Sequence, residues 1–175
     1  GYTEEDIGSA KPEDMNVYYS KELEEKYGAL GIELIVDFTI ENCKNSDEDY
    51  ICDRLVKYNL SKVPATQEIH FENINKKFLN TSGEIIAGCV ARMYCWNVLY
   101  IDILWVEENY RLQGLGSKLL EYVENTAKEK GCYLIHLDTF DFQAKDFYLK
   151  HGYEIFGILN DCPKGHCRYY LQKKI

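Results

Sequence analysis

Arg111-Leu112-Gln113-Gly114-Leu115-Gly116 places two glycines between a β-branched run and a long amphipathic repeat. Glycine lets successive backbone N–H groups approach a ligand closely, and a helix starting there adds a partial positive charge. The pair suits an anion, a pyrophosphate in particular; a plain tight turn is the other use of the same residues. Neither common nucleotide loop is present. The pattern G-x-x-x-x-G-K-[ST] is missing, although Ser117-Lys118 echoes its end, and G-x-G-x-x-G fails at Leu119.

Two residues are candidates for proton chemistry. Asp102 lies in the run YIDILWV (100–106), sharing strand parity with Leu104 and Val106, and an acid in so apolar a strand is unusual. Burial there would raise its carboxyl pKa toward a useful range for a base. His136, central in the next apolar run, is the alternative. Structural uses stay open for both: Asp102 could hold a substrate ammonium or a backbone group, and His136 could be a satisfied core histidine. Cys162-Pro163-Lys164-Gly165-His166-Cys167 holds zinc-ligand types, but Pro-x-Gly is turn chemistry and no fourth ligand is evident. A hairpin turn is expected, with His166 near an acceptor and no metal. The seven cysteines form an odd set without paired short spacings, so buried free thiols are expected.

The elements that must position these residues follow from periodicity. YYSKELEEKY (18–27) is compatible with a surface or partner-facing helix, and Ile32–Ile40 reads as a first strand. Asn45, Ser46 and Asp47 offer caps for a helix in which Ile51, Leu55 and Tyr58 fall at i, i+4 and i+7. Phe71–Leu79 and Glu84–Trp96 form a hairpin around Asn80-Thr81-Ser82-Gly83, and Tyr100–Val106 adds a third strand. Leu115, Leu119, Leu120, Val123 and Ala127 predict a helix that Gly131 ends. A strand at Cys132–Thr139, a short helix at Phe142–Lys150 stopped by His151-Gly152, and a terminal hairpin turning through Asp161–Gly165 complete the chain.

In that context, residues 100–116 resemble motif A of the GNAT N-acetyltransferases, [RQ]-x-x-G-x-[GA] after an antiparallel strand, with Arg111, Gly114 and Gly116 at its fixed positions. Downstream, Phe142 to Tyr153 is similar to the family's motif B, A-x-x-F-Y-x-x-x-G-[FY], through Ala144, Phe147, Tyr148, Gly152 and Tyr153. The resemblance covers residues 84–175 well and residues 32–83 by element order. It implies an α/β (α+β) acyl-CoA N-acyltransferase fold: a twisted, mixed but mostly antiparallel sheet of about 6–7 strands with about 4 helices. Residues 31–175 would form this domain and residues 1–30 an extension; Gly1 in the place of Met fits a processed or engineered N-terminus.

The resemblance also implies roles. Acetyl-CoA would lie where the strand at Tyr100–Val106 splays from the strand at Cys132–Thr139. Its pantetheine arm would run along Leu104, Trp105 and Val106, and its pyrophosphate would sit on amides of Gln113, Gly114, Leu115, Gly116 and Ser117, with Arg111 bracing the loop or reaching a phosphate. Ala144 and Phe147 of motif B would complete the cofactor site. Tyr148 holds the family's general-acid position, although it could simply pack its helix; a phenol of pKa about 10 is protonated at neutral pH. The Val106 N–H would stabilise the oxyanion. Asp141 stands where the family often has an Asn touching the cofactor arm, and a carboxylate cannot donate that hydrogen bond. A water chain can replace a single base.

Composition narrows the function. The chain has 175 residues and net charge −9; residues 1–53 carry 15 acids and 4 bases, residues 54–175 carry 14 acids and 16 bases. One globular domain is implied, and the acidity argues against a nucleic-acid partner. No run of apolar residues reaches membrane-span length and the start lacks a signal-peptide pattern, so a cytoplasmic protein with no membrane partner is expected. The expected reaction is direct acetyl transfer in a ternary complex to a primary amine of a small cationic molecule, such as an aminoglycoside, streptothricin-like compound or polyamine. A protein N-terminus or lysine is the rival acceptor, and a non-catalytic acyl-CoA-binding sensor or scaffold the rival class. Acidic residues 1–53 would attract a cation if they face the cleft. Oligomeric state stays open, a homodimer included.

Overall fold

The computed structural model describes residues 39–175. The expected helix at 18–27, the domain boundary near residue 30 and most of the strand at 32–40 lie outside them; Thr39 and Ile40 are in no strand. Residues 52–175 form a compact unit that carries the sheet.

Helix α1 (Asn45–Lys62) takes the expected caps Asn45, Ser46 and Asp47 into its first turn, which puts Lys44 at the N-cap position. The Lys44 N–H donates to the Asp47 carboxylate at 2.8 Å, which is half of a capping box. Its stripe, however, is not packed: Ile51, Leu55 and Tyr58 are exposed, and Val56, Asn59 and Leu60 are half-buried. Apolar spacing predicts the helix but not a cover for that face.

The expected segment Phe71–Leu79 splits into β1 (Phe71–Asn73) and β2 (Lys76–Leu79), both antiparallel to β3 (Ile85–Tyr94). Asn75 causes the break, because its side-chain carbonyl takes the Ala91 N–H at 3.0 Å in place of a backbone partner. At the β2–β3 turn, Asn80 Oδ1 accepts from the N–H groups of Ser82 and Glu84, both at 2.9 Å. Next come β4 (Val98–Val106), a 3-10 turn (Glu108–Tyr110), α2 (Leu115–Glu129), β5 (Leu134–Phe140), α3 (Lys145–Lys150), β6 (Glu154–Asn160) and β7 (Cys167–Lys174). The strands form one sheet in the order β1-β3-β4-β5-β7-β6 with β2 also on β3; β4 and β5 are its parallel pair.

One sheet face, with Ala87, Cys89, Ala91, Met93, Leu99, Ile101, Ile135 and Leu137, packs on Leu119, Leu120, Val123 and Ala127 of α2. These are the residues whose helical spacing predicts α2, so the stripe and the core coincide. Gly131, with φ 80°, ends that helix as expected, and the Cys132 N–H reaches back to the Ala127 carbonyl at 2.9 Å. Helix α3 starts at Lys145 rather than Phe142, because the Gln143 side chain takes the Phe140 N–H at 2.9 Å and holds Asp141–Ala144 as a turn. All seven cysteines are free, but only Cys89, Cys95 and Cys132 are buried; Cys162 and Cys167 are half-buried, and Cys43 and Cys52 are exposed. No described helix is long and apolar enough to cross a membrane.

Candidate active site

A single unmatched residue opens the sheet. Ala91 pairs with Ile101 and Val90 with Ile103, so Asp102 is the extra residue of a β-bulge in β4. The parallel pairing with β5 ends at the same point, Ile101 with Leu137. A bulge bends and twists its strand, and from here β4 departs from β5. The bulge also overturns the parity expected from sequence. Leu104 and Val106 pack toward the core as Ile101 does, whereas Asp102 is exposed rather than buried.

Ladder phase determines what faces the gap. The Glu107 N–H donates to the Ile86 carbonyl at 2.9 Å, which makes Val106 and Ala87 a non-hydrogen-bonded pair. Backbone groups of Val106, and of Leu104 two residues earlier, therefore point away from β3 and into the gap, while those of Trp105 point to β3. Consistent with this, Arg111 Nε donates to the Val106 carbonyl at 3.1 Å, so its side chain braces the loop. Trp105 is itself among the residues that line the cleft.

In the glycine loop, Leu112 has φ 61° and Gly114 φ 80°. A left-handed non-glycine residue costs about 1–2 kcal/mol, a strain that clusters at ligand-binding turns. Gly114 is the N-cap of α2 and makes no side-chain cap bond. The first bond of that helix is Lys118 N–H to the Gly114 carbonyl, 3.0 Å, which leaves the N–H groups of Leu115, Gly116 and Ser117 without intrahelical partners. A Cβ at Gly114 would meet nothing within 4 Å, whereas one at Gly116 would touch Phe147 at 3.6 Å and Val106 at 3.7 Å. Gly114 is thus needed for its backbone angle, and Gly116 packs the turn against motif B. The Gln113 side chain folds back to the Asn109 carbonyl at 3.2 Å.

The opposite wall comes from β5 and α3. Tyr148 is 5% exposed and lines the cleft with Ala144 and Phe147. Burial pushes its phenol well above the usual range, assisted by the nearby Cys89 and Asp138. Cys89, itself buried, is pushed up to about 11 by desolvation. The Asp141 carboxylate lines the cleft while accepting from the Cys167 N–H at 3.3 Å and lying 3.0 Å from His166 Nδ1. The segment 162–167 forms the expected turn, with the Cys162 N–H on the His166 carbonyl at 2.9 Å.

His136 is not among the cleft-lining residues. Its Nε2 is 2.9 Å from the Tyr94 hydroxyl and its ring lies 5.0 Å from that of Tyr100; burial lowers its pKa and keeps it neutral. Asp138, Thr139 and Gln143 are among the lining residues to which sequence reasoning assigns no role. Asp138 accepts from the Tyr100 hydroxyl at 3.1 Å and from Arg168 Nε at 2.6 Å. The signal that marks Asp102, an acid in an apolar strand, marks Asp138 equally. Thr139 and Gln143 gave no signal, because their work is to fix the turn after β5.

Together these walls enclose a cleft of about 950 Å³. It offers a free strand edge for an extended amide-bearing arm, uncapped N–H groups for an anion, and a protonated phenol. That combination fits a phosphate-bearing acyl thioester such as acetyl-CoA on all three counts.

Comparison with known proteins agrees. Residues 45–153 match the family described as the acetyltransferase (GNAT) family. Over 94 residues, 53% of this chain and 68% of the relative, it is 37% identical to blasticidin-S acetyltransferase of Streptomyces morookaense. The crystal structure of an acetyltransferase from Bacillus cereus is 40% identical, with a TM-score of 0.72 over 79% of this chain and 98% of the other. A Bacillus anthracis protein described as a streptothricin acetyltransferase, solved with acetyl coenzyme A, is 26% identical, with a TM-score of 0.52 over 59% of this chain and 62% of that one. With motif A on the turn before α2 and motif B on α3 meeting across the splay, the chain belongs to the GNAT family and is an acetyl-CoA-dependent acyltransferase.

Proposed function

We propose that this enzyme moves an acetyl group from acetyl-CoA to the primary amine of a small cationic molecule, the amine attacking while both substrates are bound. The observation that carries this reading is the splay at Asp102, which frees the Leu104 and Val106 backbone on one wall opposite the buried Tyr148 hydroxyl on the other. Acetyl-CoA supplies an activated thioester carbonyl. The Leu104 backbone would hold the arm, the N–H groups of Gly114 to Ser117 the pyrophosphate, and the Val106 N–H the carbonyl oxygen, a contact worth about 3–4 kcal/mol in comparable sites.

Tyr148 supports the leaving sulfur. Complete proton transfer from an ordinary phenol, pKa about 10, to a thiolate of pKa about 8.5 is uphill by about 2 kcal/mol. Burial of Tyr148 raises that cost further. Its best-supported role is therefore a hydrogen bond that stabilises the developing thiolate. Proton removal from the ammonium is assigned to Asp102, exposed in the cleft at the bulge, acting directly or through water. His136 is neutral and able to accept, but it is engaged by Tyr94. Asp102 and Asp138 also give the cleft carboxylates for a cationic acceptor, in line with relatives named for blasticidin-S and streptothricin.

The test is a panel of small amines, peptides and acceptor-free controls with CoA release as readout. Turnover concentrated on small polycationic amines is expected. Exclusive turnover of peptides would assign a protein acceptor, and tight acetyl-CoA binding with no transfer to any amine would make the domain a sensor.

A further inference from the structure

His151, the residue just beyond α3, is placed to act on the phosphate seat. Its Nδ1 lies 2.8 Å from the Phe147 carbonyl oxygen. A carbonyl can only accept, so Nδ1 carries the proton. Its Nε2 lies 3.0 Å from Ser117 Oγ, and in the neutral ring that nitrogen accepts from the hydroxyl. The imidazole also lies against the Phe147 ring, centroids 4.3 Å apart, and that same ring packs beside Gly116. His151 thus ties the helix that carries Tyr148 to the first turn of α2, at one of the residues whose backbone N–H has no intrahelical partner. It is half-buried and makes both bonds with defined geometry.

We propose that His151 is a positioning residue for the cofactor: through Ser117 it fixes the first turn of α2 as the pyrophosphate seat. The inference rests on the acetyl-CoA reading of the cleft. It concerns the phosphates alone, because neither Leu104 nor the Val106 N–H depends on this contact. A donor that lacks phosphates should therefore be indifferent to it.

The experiment compares acetyl-CoA with acetyl-pantetheine, which has the thioester and arm but no pyrophosphate, in the parent, H151L, H151Q, S117A and the H151L/S117A pair. For acetyl-CoA, H151L and S117A should each raise KM about five- to tenfold, the size of one hydrogen bond's net contribution, with kcat within about twofold. The double variant should be no worse than the poorer single one, since both remove one contact. H151Q, whose amide oxygen can accept from Ser117, should recover most of the loss. KM for acetyl-pantetheine should stay unchanged throughout. Equal losses with both donors, or an unchanged KM for acetyl-CoA in H151L, would overturn the proposal and leave His151 a packing residue. If the parent itself showed equal KM for the two donors, the pyrophosphate seat would be wrong instead. Should H151L fail to fold, H151Q and S117A carry the same comparison.

Discussion

Substituting Gly114 separates the backbone requirement of the turn from its ligand. The residue sits at φ 80° and ψ 4°, where an L-amino acid costs about 1–2 kcal/mol, and a Cβ there would meet no atom within 4 Å. Gly114→Ala should therefore lose only the strain, about 2–8 °C of Tm in a protein of this size. Acetyl-CoA at one hundred times its Kd should stabilise the parent by about 2.7 kcal/mol, or roughly 5–11 °C. Gly114→Glu brings the same strain and adds a carboxylate to the anion seat, so the acetyl-CoA shift should vanish. Gly83→Ala is the control: φ is 83° in the β2–β3 turn and its Cβ also meets nothing within 4 Å, so strain should fall with the ligand shift intact. Thermal scans with and without acetyl-CoA, supported by calorimetric Kd values, decide the matter. A full shift in Gly114→Glu would refute the placement of the pyrophosphate, and loss of the shift in Gly83→Ala would show that strain alone explains it.

Tyr148→Phe removes the cleft hydroxyl while keeping the ring that packs on Phe147 and Tyr153, so kcat should fall about 10²-fold with KM for acetyl-CoA within about twofold; an unchanged kcat would remove Tyr148 from the reaction. Alkaline stability follows from the buried phenols. Tyr148 and Tyr153 are both raised above their unfolded value by burial, so their stabilising effect is complete below about pH 10 and is lost as pH rises beyond it. Tm measured from pH 8 to 11 should fall at the upper end, and less so in Tyr153→Phe, where Glu124 still holds Lys173 at 2.6 Å. An identical fall in that variant would place the titration elsewhere.

Local physics made much of this molecule legible in its sequence. Residues Leu115 to Ala127 repeat at the helical period and occur between a strand and Gly131, so α2, its buried face and its end follow from spacing and backbone freedom alone. The glycine pair before that helix announces a turn for the same reason, and Gly114 takes the left-handed backbone there, φ 80°. Motif order then identifies the family, through Arg111, Gly114 and Gly116 followed by Ala144, Phe147 and Tyr148.

Pairing between distant strands lay beyond such rules. Asp102 looked like a buried acid by strict alternation, but alternation holds only while a ladder stays in register. The bulge against β3 exposes Asp102, turns Leu104 and Val106 to the same face as Ile101, and ends the pairing with β5. The Asn75 side chain broke a predicted strand, the Gln143 side chain delayed a predicted helix, and Tyr94 claimed His136, each through a hydrogen bond that spacing does not encode. The contact between His151 and Ser117 joins residues 34 apart in the chain. Sequence determined which elements form and which groups they carry. Tertiary structure decided which of those groups face one another, because a side chain's role depends on strand register and on competition for hydrogen-bond partners that come together only when the chain folds.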